Sequence, residues 1–184
     1  MSTPEPTIAP AADGLGAAPA SWGEPRQRTV TWHDPLATAA KGATMSGREY
    51  LEAVFAGDLP QAPIGRLMGF SGGRVGDGEV TFTAVPDESV YNPIGLVHGG
   101  FVATLLDSAL GCAVHTTLPA GVGYTSIEMK VNYLRAVHAD SGELTARGWV
   151  VKPGRRVAFA EADVRDAAGK VVATGSSSLL IIAP

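Results

Sequence analysis

Asp107 is the only formally charged residue between Glu88 and Glu128, and it stands in the run NPIGLVHGGFVATLLDSALG, Asn92 to Gly111. A carboxylate in apolar surroundings needs a partner, a wet cleft or a raised pKa. Two readings follow. In one, a neighbouring Ser, Thr or backbone group holds Asp107; in the other, it is a general base or nucleophile tuned by its surroundings. Eight residues earlier, Gly99 and Gly100 follow His98 at the head of the same apolar stretch. A helix starting there presents unpaired N–H groups and the positive end of its dipole, and glycine lets a ligand reach the backbone. Such donors can form an oxyanion hole for acyl transfer, although the glycines also suit a plain loop-to-helix junction.

Periodicity supplies the elements that must position these groups. One long apolar helix is expected over about Gly99–His115. At a rise of ~1.5 Å per residue, Asp107 lies roughly 12 Å along the axis from Gly99. A single carbonyl cannot touch both on one helix, so a site using both requires Gly99 of one subunit to meet Asp107 of another. A helix that is apolar all round also needs cover on every side. A curled sheet covers part of it, and a second subunit is expected over the rest.

Strand-like alternation appears at Arg66–Phe70 and Glu79–Val85, around a glycine-rich turn at Ser71–Gly78, and again at Ser126–Leu134. Three further strands are expected near Gly142–Val151, Arg156–Arg165 and Lys170–Ile182, completing a four-strand antiparallel meander. Within Ser126–Leu134, Ile127, Met129, Val131 and Tyr133 share one face, and Ser126, Glu128, Lys130 and Asn132 the other. Upstream, Ser46 and Glu49 have capping-box spacing, and Tyr50, Leu51, Val54 and Phe55 give a short helix one apolar face. The organisation predicted is a flexible tail at 1–45, a helical lead-in at 46–62 and one domain at 63–184.

Composition excludes several classes. The net charge of −4 offers no basic track for nucleic acid. No long apolar run avoids Asp107, so no membrane span is expected, and the start lacks the features of a secretory leader. The single cysteine, Cys112, fits a reducing, cytoplasmic setting. His33, His98, His115 and His138 are scattered, so neither a metal nor a redox cofactor is indicated. Gly69-Phe-Ser-Gly-Gly73 matches G-x-S-x-G, but no helix is expected after it, so it is read as a hairpin loop.

The pattern Asn92…His98-Gly99-Gly100…Leu106-Asp107, with the strand Ser126–Arg135, resembles the hotdog-fold acyl-CoA thioesterases of the phenylacetate-pathway (PaaI-like) group. The resemblance spans about Pro63–Ile182 and implies an α+β fold, a curled antiparallel sheet wrapped around one long central helix. It also implies roles. Asp107 attacks the thioester or activates water, and the Gly99 N–H polarises the carbonyl. Asn92 positions water or the carbonyl, and Ser126 (or Thr125) assists from the next strand. His98 is a common residue of such sites, either structural or direct in its role. The family's sites are shared between subunits, so a homodimer or homotetramer is implied, with coenzyme A entering only as part of the acyl-CoA substrate.

For the coenzyme A phosphates, Arg155 and Arg156 after the Pro153-Gly154 turn are candidates, with Gly100 beside the oxyanion donor and Arg135 as another cation. Phe101, Tyr91, Met68 and Leu96 are candidates for an acyl pocket or for ordinary packing. Two rival functions stand beside hydrolysis: an enoyl-thioester hydratase or dehydratase, and an acyl-CoA-binding module without turnover.

Overall fold

The structure, a computed structural model, describes residues 19–183; the first 18 residues of the expected tail lie outside the described residues. Three short helices, α1 (Pro35–Gly42), α2 (Gly47–Ala56) and α3 (Pro63–Leu67), precede the strands β1 (Phe70–Val75) and β2 (Glu79–Ala84). The long helix α4 (Gly99–His115) follows, then β3 (Gly123–Tyr133), β4 (Leu144–Lys152), β5 (Val157–Arg165) and β6 (Val171–Ile182). The strands form one antiparallel six-stranded sheet in the order β1-β2-β4-β5-β6-β3, curled around α4. This is the hotdog fold.

Local chemistry accounts for most boundaries. Ser46 and Glu49 close a reciprocal capping box on α2, and Gly57 ends that helix in the left-handed region at φ 85°. Asp34 caps α1, with Pro35 in its first turn, inside the segment expected to be tail. Arg66, expected in a strand, belongs to α3, because Pro63 presets the first helical turn. The strand begins only at Phe70, so Ser71-Gly-Gly73 is strand rather than turn, and the hairpin loop is Gly76-Asp77-Gly78. The glycine at 73 answers a close approach: a Cβ there would lie 2.2 Å from the Thr81 carbonyl and 2.5 Å from the Phe55 ring. A strand, not a helix, therefore follows the G-x-S-x-G segment.

The expected meander holds for β4, β5 and β6 only. The chain leaves β2 through α4 and lands β3 on the far side of β6, which frees β2 to pair with β4. Leu105, Leu106, Ala109, Leu110, Ala113 and Val114 of α4 are fully enclosed. Each buried Leu contributes about 1.5–3 kcal/mol, so the helix is anchored along its whole length. Alanines at 146, 158, 160 and 162 line the sheet beneath it, and Gly148 takes this closeness furthest. A Cβ on Gly148 would lie 2.2 Å from the Ala109 carbonyl oxygen.

Candidate active site

Asp107 projects from the middle of α4 at an exposed position, and its Oδ1 accepts a hydrogen bond of 2.9 Å from the Ser126 hydroxyl. Simple alternation put Ser126 on the outer face of its strand, and the structure puts it on the helix side. The cause is a β-bulge. Ser126 pairs with Leu179 and Glu128 with the adjacent Ser178, so Ile127 is the extra residue, and it is 55% exposed. A bulge re-aims the side chains on either side of it. Met129 and Val131 keep the face expected for them and pack on the core.

Beyond Asp107 a cavity of about 420 Å³ runs along α4 past Ser108 and Cys112 to His115. Its far wall comes from the lead-in: Tyr50, Leu51, Val54 and Phe55 of α2, and Ile64 of α3. Phe70, Phe82 and Tyr124 of the sheet complete it. None of Phe101, Tyr91, Met68 or Leu96, the residues suggested for an acyl pocket, lines it. Phe101 is core, only 4% exposed, while Met68 and Tyr91 pack against that core. The wall residues were visible as one apolar helix face, but which partner that face covers is a tertiary fact.

At the head of α4, His98 acts as N-cap, its Nδ1 accepting the Gly100 N–H at 2.8 Å. That bond occupies the Gly100 donor and gives His98 a holding role. The Gly99 carbonyl accepts from the Tyr133 hydroxyl at 2.9 Å, and a Cβ on Gly99 would lie 3.0 Å from the Tyr133 ring. The place of Tyr133 on the helix-facing side of its strand is legible in the sequence, whereas its bond to the Gly99 carbonyl is a tertiary fact. Gly99, Tyr133, Leu134 and Arg135 share a surface depression of about 280 Å³ that has no residue in common with the Asp107 cavity. In one chain Gly99 and Asp107 therefore line separate concavities.

Asn92 is committed to its loop: its Oδ1 accepts from the N–H groups of Ile94 (3.1 Å) and Leu96 (3.0 Å). Only its amide NH₂ remains for a ligand. Arg155 and Arg156 are exposed in the β4–β5 turn, where β6 ends and β3 begins, and make no ion pair among the described residues. Arg135 donates to the Val171 carbonyl beside Gly99.

Burial sets the ionisation of the cavity's far end. It pushes the Cys112 thiol up to about 11, holds the Tyr124 phenol well above its usual range and lowers His115 below 6.5. All three are neutral near pH 7. Among the described residues no His, Cys, Asp and Glu group is arranged to hold a metal ion, and no helix is long and apolar enough to cross a membrane.

Residues 94–173 match the thioesterase superfamily. A protein of Halobacterium salinarum, described as a candidate esterase, is 36% identical over 126 residues, covering 62% of this chain and 82% of its own length. Human acyl-coenzyme A thioesterase 13 is 30% identical over 134 residues, 72% of this chain and 91% of that one. The PaaI protein from the phenylacetic acid degradation operon of Escherichia coli shares the fold at a TM-score of 0.63 and 19% identity, with 75% of this chain and 96% of that one covered. The chain thus belongs to the thioesterase superfamily, as a thioester-hydrolysing enzyme of the hotdog fold.

Proposed function

We propose that this protein hydrolyses acyl-CoA thioesters to a free carboxylic acid and coenzyme A, with Asp107 as the reacting carboxylate. The observation that carries this reading is the placement of Asp107: an exposed carboxylate, bonded to Ser126, at the mouth of a largely apolar cavity of about 420 Å³. An acyl group in the cavity brings its thioester carbonyl to Asp107. The carboxylate then attacks that carbon to give a mixed anhydride opened by water, or takes a proton from an attacking water. In both routes the C–S bond breaks and the coenzyme A thiolate leaves. Ser126 holds the carboxylate through Oδ1, leaving Oδ2 for the reaction.

The oxyanion donor is the Gly99 N–H of a second subunit, because Gly99 and Asp107 of one chain line separate concavities. The outer edge of β3 has no strand partner among the described residues, which suits continuation of the sheet into another copy. A homodimer or homotetramer then completes each site. Arg135, beside Gly99, and the Arg155–Arg156 pair supply cations for the coenzyme A phosphates, and His98 fixes the loop that presents Gly99. A cytoplasmic setting fits the substrate and the single free cysteine.

Thiol release from a panel of aromatic and aliphatic acyl-CoAs, comparing wild type with Asp107→Asn, tests this. Loss of general-base or nucleophilic action lowers kcat about 10²–10⁴-fold, with the oligomer intact. Equal rates in both proteins would return Asp107 to a structural role. Tight acyl-CoA binding without thiol release by the wild type would establish a binding module instead.

A further inference from the structure

Two successive glycines, Gly99 and Gly100, open α4, and their backbone freedom would leave the first turn of the helix loosely aimed. The structure holds that turn from several sides. The His98 N–H donates to the Val90 carbonyl at 2.8 Å, and the His98 carbonyl accepts the Phe101 N–H at 2.9 Å. His98 Nδ1 takes the Gly100 N–H at 2.8 Å. The Gly99 carbonyl, at the other end of that same peptide, accepts the Tyr133 hydroxyl at 2.9 Å. The Gly99–Gly100 peptide is thus gripped at its oxygen by Tyr133 and at its hydrogen by His98. What remains is the Gly99 N–H. As the first residue of the helix it has no acceptor within α4, and no hydrogen bond engages it among the described residues.

Tyr133 can serve this turn because its own place does not depend on it. It is the last residue of β3 and pairs with the fully buried Ala173 of β6. The next two N–H groups, of Leu134 and Arg135, both donate to the Val172 carbonyl, at 2.8 and 3.1 Å. The tyrosine therefore stands on a fixed strand end and leans on the helix start. A Cβ on Gly99 would lie 3.0 Å from its ring and 3.1 Å from its hydroxyl oxygen, so a methyl group there would push both back. Tyr133 is 55% exposed, and a phenylalanine would fill the same space. Only the hydroxyl reaches the carbonyl. A donor at that oxygen also polarises the peptide behind it, which strengthens the Gly100 N–H as a donor to His98.

We propose that Tyr133 is a positioning residue for hydrolysis: its hydroxyl holds the start of α4 in the orientation that aims the Gly99 N–H at the thioester oxygen. The inference rests on the reading of the Gly99 N–H as the oxyanion donor. Such a donor acts through being fixed in advance where negative charge develops. Removing a donor outright costs about 10²–10³-fold in kcat, and loosening one that is still present costs less, about tenfold. Asp107 and its bond to Ser126 are untouched by this role.

The test compares the full-length wild type with Tyr133→Phe, which keeps the ring against Gly99. Two uncleavable probes separate the contributions. One is the ketone analogue of hexanoyl-CoA with CH₂ in place of sulfur, which retains the carbonyl; the other is the hexyl-CoA thioether, which has none. Calorimetry is expected to show that the wild type prefers the ketone, that Tyr133→Phe moves this preference towards one, and that thioether affinity is the same in both proteins. On the acyl-CoA that the wild type turns over fastest, the variant should lose about tenfold in kcat with KM unchanged. Equal weakening of both probes would make Tyr133 a packing residue and overturn the inference. An unchanged ketone preference or an unchanged kcat in Tyr133→Phe would overturn it too, while leaving the Gly99 reading in place. A wild type that binds the ketone no better than the thioether would sink the oxyanion reading and this inference with it.

Discussion

Gly148→Ala adds one methyl group where β4 lies against the backbone of α4, and the structure fixes what that methyl meets. It would stand 2.2 Å from the Ala109 carbonyl oxygen, 2.5 Å from its carbon and 3.0 Å from the Leu110 nitrogen. All three are backbone atoms, so no rotamer change relieves the contact. Helix and sheet must part by about 1.2 Å to reach the 3.4 Å at which ordinary contact begins. A gap of 0.5–1 Å already forfeits about a quarter to a half of a dispersion contact, and Leu105, Leu106 and Leu110 all depend on that closeness. The cost belongs at the upper end of overpacking, about 3 kcal/mol, which lowers Tm by roughly 6–12 °C in a chain of this size. Gly175→Ala is the control: on the same sheet, its Cβ would meet Leu106 and the Lys130 carbonyl at 3.4 Å, which is ordinary contact. Reduced backbone freedom in the unfolded chain makes that substitution neutral or stabilising by about 0.4–1 kcal/mol. Calorimetric melting of both variants decides the matter. Equal Tm values for the two would refute the argument that backbone contact between β4 and α4 sets the spacing of this core.

Three further outcomes are expected. Ser126→Ala removes the 2.9 Å bond to the Asp107 carboxylate, a bond to a charged group worth about 1.5–3 kcal/mol, so kcat/KM should fall roughly 10- to 100-fold while Tm changes little. If each site is shared, co-refolding two inactive variants, Asp107→Asn and Gly99→Val, regenerates one native pairing of Asp107 with Gly99 per mixed dimer and restores thiol release; no recovery would refute a site built from Gly99 of one subunit and Asp107 of another. Burial lowers the His115 pKa below 6.5, so between the folded and unfolded values the unfolded chain binds more protons. Stability in urea should therefore fall as pH drops below about 6.5 and show no His115 contribution above it, and His115→Phe should remove that slope. The depressed carboxyl groups of Glu49, Glu79 and Asp87 act in a separate window, below about pH 4.5.

What the chain revealed in advance tracks how local each cause is. The bounds of α4, the capping box on α2 and the last three strands follow from period and end chemistry, which a short window contains. Ser126 was recognised, yet its face was misassigned, because one extra residue in β3 breaks the strict alternation and only the partner strand shows where. Gly72 and Gly73 read as turn residues, since a sequence does not say whether a glycine serves a bend or the approach of Phe55. The pairing of β2 with β4 depends on where the chain lands after α4, and the cavity wall depends on where α2 docks. Neither is written in any local pattern.

The docking of α2 and α3 has a consequence for how this enzyme could diversify. The segment matched to the superfamily spans 94–173 and carries Asp107, Gly99 and Ser126, whereas Tyr50, Phe55 and Ile64 precede it in the chain. On the proposed function, reaction chemistry and the lead-in part of acyl recognition are thus encoded in separate stretches of the gene. Recombination or drift confined to codons 47–67 could refashion the receptor while the hydrolytic apparatus is inherited intact, and a laboratory library restricted to those positions would search selectivity with little risk to turnover.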